Sequence, residues 1–127
     1  AATPSTPSSR TSTARSAWYK TLVTLFETYD YLAVPTAQVF PFDITEHWPK
    51  QINGRSMDTY HRWMETCFPW TLSGSPIISV PVGFGPQGLP MGMQLIGRPR
   101  DDLGLLKLAY VYEQQNDWVN TRRPAFQ

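Results

Sequence analysis

The stretch VPVGFGPQGLPMGMQLIG, Val80 to Gly97, carries Gly83, Gly85 and Gly88 in the order G-x-G-x-x-G, directly after a β-branched run. That order has two physical readings. In a dinucleotide-binding loop, a strand runs into a tight glycine turn and then a helix, whose free N–H groups hold the pyrophosphate. In a hairpin, the same glycines supply positive φ between two strands. The residues after Gly88 decide. They read L-P-M-G-M-Q-L-I-G, with Met91, Met93 and Leu95 alternating against Gly92, Gln94 and Ile96, which is the period of a strand. Each glycine there would cost a helix about 1 kcal/mol. Pro86 lies inside the motif and removes an N–H that a phosphate loop would use. The context a dinucleotide loop needs is missing. The stretch therefore reads as two strands, at about 77–82 and 91–97, joined by a Gly/Pro turn, and no cofactor is expected.

Working outward, IISVPV (77–82) is β-branched and strand-like. Before it, TLSGSP is a turn in which Gly74 suits a left-handed C-cap. A helix is expected over 57–67, with Tyr60, Trp63, Met64 and Cys67 on one face and Ser56 as N-cap. Pro69 should end or kink it. YLAVP (31–35) reads as a buried strand closed by proline. Ahead of it, Trp18, Leu22, Leu25, Phe26 and Tyr29 mark a helix over 16–29. After the last strand, Asp101 or Asp102 caps a helix running to about residue 115. Leu103, Leu106 and Tyr110 lie on one face of it, flanked by Leu105, Leu108 and Tyr112. Residues 1–15 form a Ser/Thr/Pro-rich stretch without a large apolar side chain, read as a flexible arm. Residues 16–127 read as one α/β (α+β) unit.

Composition narrows the function. With 41% hydrophobic and 13% aromatic residues among 127, the chain has material for a core. A net charge of +1, from 11 basic and 10 acidic residues, gives no basic excess for nucleic-acid binding. A single cysteine, Cys67, excludes an internal disulfide framework and fits a reducing, cytoplasmic setting. No apolar run approaches the roughly 20 residues of a membrane span. The first residue is Ala1 rather than Met, which reads as a cut or processed chain.

Chemistry-bearing residues are few. Ser73-Gly74-Ser75 lacks the G-x-S-x-G elbow and reads as a helix stop. His47 and His61 stand without an H-E-x-x-H pattern or a thiol cluster, so no metal site is expected. Cys67 reads as a small buried hydrophobe. No serine is paired by sequence with Lys20, Lys50 or Lys107. Residues 36–55 hold Phe40, Phe42 and Trp48 without a period, in a long loop. Two readings stay open for these aromatics. They plug a satellite core under the loop, or they line an apolar substrate pocket.

Three segments together resemble the carboxy-terminal part of the amidase signature family: YDYLAVPT (29–36), SGSPIISVPVGF (73–84) and GLPMGMQLIGRPRDD (88–102). The helices ARSAWYKTLVTLFETYD (14–30) and LGLLKLAYVYEQ (103–114) fit the same order. The resemblance implies part of an α/β/α sandwich around a mixed sheet. It also implies amide hydrolysis without metal or nucleotide, by a Ser–cis-Ser–Lys triad with backbone N–H groups forming the oxyanion hole. The Gly/Ser-rich signature and the lysine of that triad are absent from these 127 residues, so no catalytic residue is assigned here. Thr36 and, in the loop after it, Gln38, Phe40, Phe42 and Trp48 are the substrate-pocket candidates. The implied partners are the remainder of an amidase chain and a small amide substrate. Self-association or a homodimer is expected through apolar surface left uncovered, and neither nucleic acid nor membrane is a partner. The alternatives are a non-catalytic α+β binding module and the carboxy-terminal part of a tRNA-dependent amidotransferase's A-type subunit. The 127-residue chain alone is expected to hydrolyse no simple amide. Turnover abolished by a serine-directed inhibitor would overturn that expectation.

Overall fold

The computed structural model describes residues 7–123. In chain order the elements are α1 (Pro7–Thr28), β1 (Leu32–Pro35), β2 (Gln51–Ile52) and β3 (Arg55–Ser56), then a 3-10 turn (Tyr60–Met64). They continue with α2 (Phe68–Ser73), β4 (Ile77–Phe84), β5 (Pro90–Ile96), α3 (Asp102–Gln115) and α4 (Trp118–Thr121). The main sheet has the order β1-β5-β4 and both of its pairings are antiparallel. β5 is its centre, with Ile96 opposite both Leu32 and Ile77, and Gln94 opposite both Val34 and Ser79.

Period-two alternation gives β5 two different faces. Leu95 joins Val80, Leu105 and Ala109, with Met93 and Tyr112 packed alongside; this is the α3 side. Ile96 joins Leu22 and Phe26, with Trp18, Val34 and Trp70 alongside; this is the α1 side. The sheet is therefore covered by a helix on each face, an α/β/α arrangement. The register shifts between Pro81 and Gly83, where Gly83 takes φ 129°, as a bulge requires.

The α1 helix reaches back to Pro7, so residues 7–15, expected as an irregular arm, are helical; residues 1–6 lie outside the described residues. The helix accommodates the hydroxyls. Thr13 donates to the Ser9 carbonyl at 2.9 Å and Ser16 to the Ser12 carbonyl at 3.0 Å. Each polar side chain thus bonds within its own helix instead of competing with it. Arg15 Nε also donates to the Leu72 carbonyl at 3.1 Å, tying this end of the helix to α2.

The helix expected over 57–67 is not formed. The Met57 N–H donates to the Lys50 carbonyl at 2.8 Å, and Ser56 is committed to β3, so neither starts a helix. A short 3-10 turn and then α2 stand there instead. Pro69 falls in the first turn of α2, where a missing N–H leaves no bond unmade; it begins a helix rather than ending one. Gly74 closes α2 at φ 71°, ψ 12°, the left-handed C-cap its position suggests. The loop over 36–55 is not wholly irregular either, because Asn53 and Gly54 take positive φ and turn β2 into β3.

On α3, the Asp101 side chain accepts from the Gly104 N–H, the cap read from sequence. Leu105 and Ala109 are buried, whereas Leu103, Leu106 and Tyr110 are exposed. Among the described residues no helix is long and apolar enough to cross a membrane.

Ile96 is fully buried at 0% exposure beneath α1. Ile96→Ala should destabilise the chain by about 2–5 kcal/mol, seen as a drop in the urea midpoint. Val82→Ala, at a position 37% exposed, should cost less than about 1 kcal/mol.

Candidate functional site

The carboxy end of β1 is where chain direction, polarity and close packing meet. β1 ends at Pro35, and the Thr36 N–H donates to the Gly92 carbonyl at 3.0 Å. The hydroxyls of Thr36 and Ser79 lie 2.8 Å apart and hydrogen-bond. They meet across Gly92, where a Cβ would stand 2.9 Å from Thr36 Oγ1 and 3.1 Å from Ser79 Oγ. Only a residue without a side chain lets β5 pass beneath this pair.

Behind the hydroxyls stands Gln94, 7% exposed. Its Nε2 donates to the carbonyls of Pro35 at 3.0 Å and Thr66 at 3.2 Å. Cys67 donates its S–H to the Thr36 carbonyl at 3.3 Å. Gln94 and Cys67 thus clamp the start of the loop to the segment leading into α2. The amide is the costly member of this clamp, since removing it would leave two carbonyls unpaired. Sequence reading does not single out Gln94 as a site residue. A signal for it exists: it is the one long polar side chain on an otherwise apolar or small-residue strand.

The five sequence candidates do not form one cluster. Thr36 sits in the hydroxyl pair. Gln38 is partly buried, and its Oε1 is buried without a partner among the described residues. Phe40 lies over Gly85, where a Cβ would come within 2.7 Å of the ring. With Pro41, Pro86, Gln87 and Leu89 it bounds a groove of about 210 Å³. Phe42 meets Trp63 edge-on, with centroids 5.6 Å apart. Trp48 meets Tyr60 edge-on at 5.8 Å, and its indole donates to the Met57 carbonyl at 3.3 Å. Tyr60 and Trp63 touch in turn. Phe42 and Trp48 therefore belong to an aromatic satellite cluster under the loop, and Phe40 stands apart from it at the tip of the β4–β5 hairpin.

Charge around the site is structural. The Lys50 ammonium sits 3.1 Å above the Trp48 ring. Arg55 and Arg62 share Glu65, and Arg62 also reaches Asp58. The Asp58 and Glu65 carboxylates push the Arg62 guanidinium pKa up. Asp43 is held below the usual carboxylate range by the Thr45 hydroxyl and then by the Thr45 backbone N–H. Neither hydroxyl of the Thr36–Ser79 pair hydrogen-bonds a lysine or histidine among the described residues. Nor do the described residues hold a group of three or more His, Cys, Asp or Glu fit for a metal ion. This arrangement supplies hydrogen-bonding groups and an apolar wall, not a nucleophile with its base.

The Amidase family model matches residues 3–106. The chain is 41% identical over 101 residues to the A-type subunit of glutamyl-tRNA(Gln) amidotransferase from Moorella thermoacetica, covering 80% of this chain and 19% of that protein. A putative amidase of Synechocystis is 37% identical over 94 residues, covering 74% of this chain and 18% of that one. The fold matches a bacterial aryl acylamidase of the amidase signature family with TM-score 0.75 and 29% identity, over 87% of this chain and 24% of that one. It also matches the glutamyl-tRNA(Gln) amidotransferase A-type subunit of Thermotoga maritima with TM-score 0.67 and 32% identity, over 80% of this chain and 21% of that one. The chain spans about a fifth of the length of the curated relatives it matches.

Gly85→Ala should displace the Phe40 ring and lower stability by about 1 kcal/mol. In a Phe40→Ala background the same change should cost nothing. A double-mutant cycle in urea reads the coupling, and equal costs in both backgrounds would show that the ring does not rest on Gly85.

Proposed function

The chain belongs to the amidase family, and on that premise we propose that it is the carboxy-terminal framework of an amidase-signature hydrolase. In this reading the enzyme cleaves a carboxamide C–N bond through a Ser–cis-Ser–Lys triad lying outside these residues. The serine attacks the carbonyl carbon while the lysine accepts its proton through the middle serine. Backbone N–H groups stabilise the oxyanion. The amine leaves with a proton, and water releases the acid. The observation that carries the reading is a family match over 104 residues, 3–106, with no nucleophile–base pair among the described residues.

The role left to this segment is to set the wall against which the substrate lies. Thr36, Gln38 and Phe40 are placed in that wall. The buried Gln38 amide oxygen, without a partner among the described residues, is the acceptor assigned to the N–H of a carboxamide once the rest of the chain completes the pocket. Phe42 and Trp48 support the wall from the aromatic cluster beneath the loop. The chemistry needs no metal or nucleotide, and the enzyme works in the cytoplasm with the rest of its chain as partner. A second reading, an amidotransferase A-type subunit, is favoured by the relatives that carry that name, at 36–43% identity.

The full product of the reading frame that contains this segment tests both. Its upstream part should encode a Gly/Ser-rich stretch with a lysine before it, and it should release ammonia or amine from amides. Gln38→Ala should raise KM several-fold for primary amides and leave inactivation by a serine-directed sulfonyl fluoride unchanged. An unchanged KM would remove Gln38 from the wall. An upstream frame without the Gly/Ser-rich stretch would overturn the hydrolase itself. Activity seen only with glutamine and a charged tRNA would select the second reading.

A further inference from the structure

A second pocket, of about 450 Å³, lies at the turn end of the β4–β5 hairpin, between that turn and α4. Its walls include Phe84, Gly88, Trp118, Val119, Arg122 and Arg123. The hairpin glycines shape it. A Cβ on Gly83, at φ 129°, would press on the Trp118 ring at 3.3 Å. A Cβ on Gly88, at φ 74°, would meet the Arg122 guanidinium at 3.0 Å. The glycines that first suggested a phosphate loop thus make room for an indole and a guanidinium.

Three groups in this pocket have unspent recognition capacity. The Arg122 guanidinium stacks over Phe84 at 4.7 Å, which engages its face and leaves its in-plane N–H donors available. Arg123 hydrogen-bonds Asn120. Among the described residues neither arginine has a carboxylate within ion-pair reach, and no acidic residue lines the pocket. The indole N–H of Trp118 is buried and has no acceptor among the described residues. Phe84 and Trp118 meet at 72° with centroids 6.4 Å apart, giving two apolar walls.

We propose that this pocket binds a small aryl carboxylate, its ring lying against the apolar corner formed by Phe84 and Trp118 and its carboxylate held by Arg122 and Arg123. A planar fork of donors matches a planar two-oxygen acceptor. Two adjacent cations with no carboxylate partner among the described residues favour an anion over the neutral amide of the same shape. The pocket shares no lining residue with the groove beside Phe40 at the same hairpin tip, and its binding does not depend on the proposed substrate wall.

The test follows the Trp118 indole N–H resonance of the 15N-labelled chain, assigned through Trp118→Phe, during titration with phenylacetate. We expect a saturable shift complete below about 20 mM, a concentration range set by what so small a ligand can gain. Phenylacetamide should give no saturable shift. Arg122→Gln/Arg123→Gln should weaken phenylacetate binding at least tenfold, with the indole spectrum of the free chain otherwise unchanged, and Arg122→Lys should retain part of the affinity. If the double variant lost its dispersed spectrum, the phenylacetate-against-phenylacetamide comparison on the unaltered chain would decide alone. No saturable shift with phenylacetate, an equal response to the amide, or full affinity in a folded double variant would each overturn the proposal.

Discussion

Everything in this fold depends on β5 being paired on both edges and covered on both faces. β1 and β4 satisfy its backbone groups, α3 closes over Leu95, and α1 closes over Ile96. A central strand in that position has no solvent to fall back on, so each residue must be apolar, absent as a side chain, or fully hydrogen-bonded. Ile96 and Leu95 take the first course and Gly92 the second. Gln94 takes the third, with both donors of its amide used on carbonyls. The same strand therefore builds the core at one end and fixes the candidate site at the other.

The site inherits its rigidity from this arrangement. Thr36 is held at its N–H by Gly92, at its carbonyl by Cys67 and at its hydroxyl by Ser79. The next turn of the chain thus leaves the sheet in one direction. The loop beyond it is held differently, by edge-on aromatic contacts and by surface charge pairs, each worth about 1 kcal/mol or less. A fixed strand end followed by a more adaptable loop suits a family whose members share a framework and differ in substrate.

How much can be read from sequence follows from how local each signal is. The alternation in β5, the Asp101 cap and the Gly74 C-cap are each written within a few residues, and so is the order of Pro and Gly that identifies the family. The helical start at Pro7 is obscured because Ser and Thr are poor helix formers in general, yet hydroxyls bonded back one turn do little harm. The 57–67 helix fails because Met57 is already taken by a carbonyl in the β2–β3 region. Asn53-Gly54, a strong short-range hairpin signal, is masked by the scattered aromatics around it. Which face of α3 is buried cannot be fixed by period alone, because apolar residues occur nearly all round it. The division of the loop aromatics between a satellite cluster and the hairpin tip depends on contacts that no spacing encodes.

The two flanks of β5 differ in when they become available to it. β4 precedes it by a short turn, so that pair can close almost as soon as both strands exist. Gln94 lies 59 positions after Pro35. At roughly 5–20 residues per second of synthesis, β1 waits about 3 to 12 s for its partner. During that interval the Leu22 and Phe26 stripe of α1 has no Ile96 to rest on. The birth of this segment on the ribosome therefore has an enforced delay, in which the first helix must remain soluble on the strength of its Ser, Thr and Arg residues.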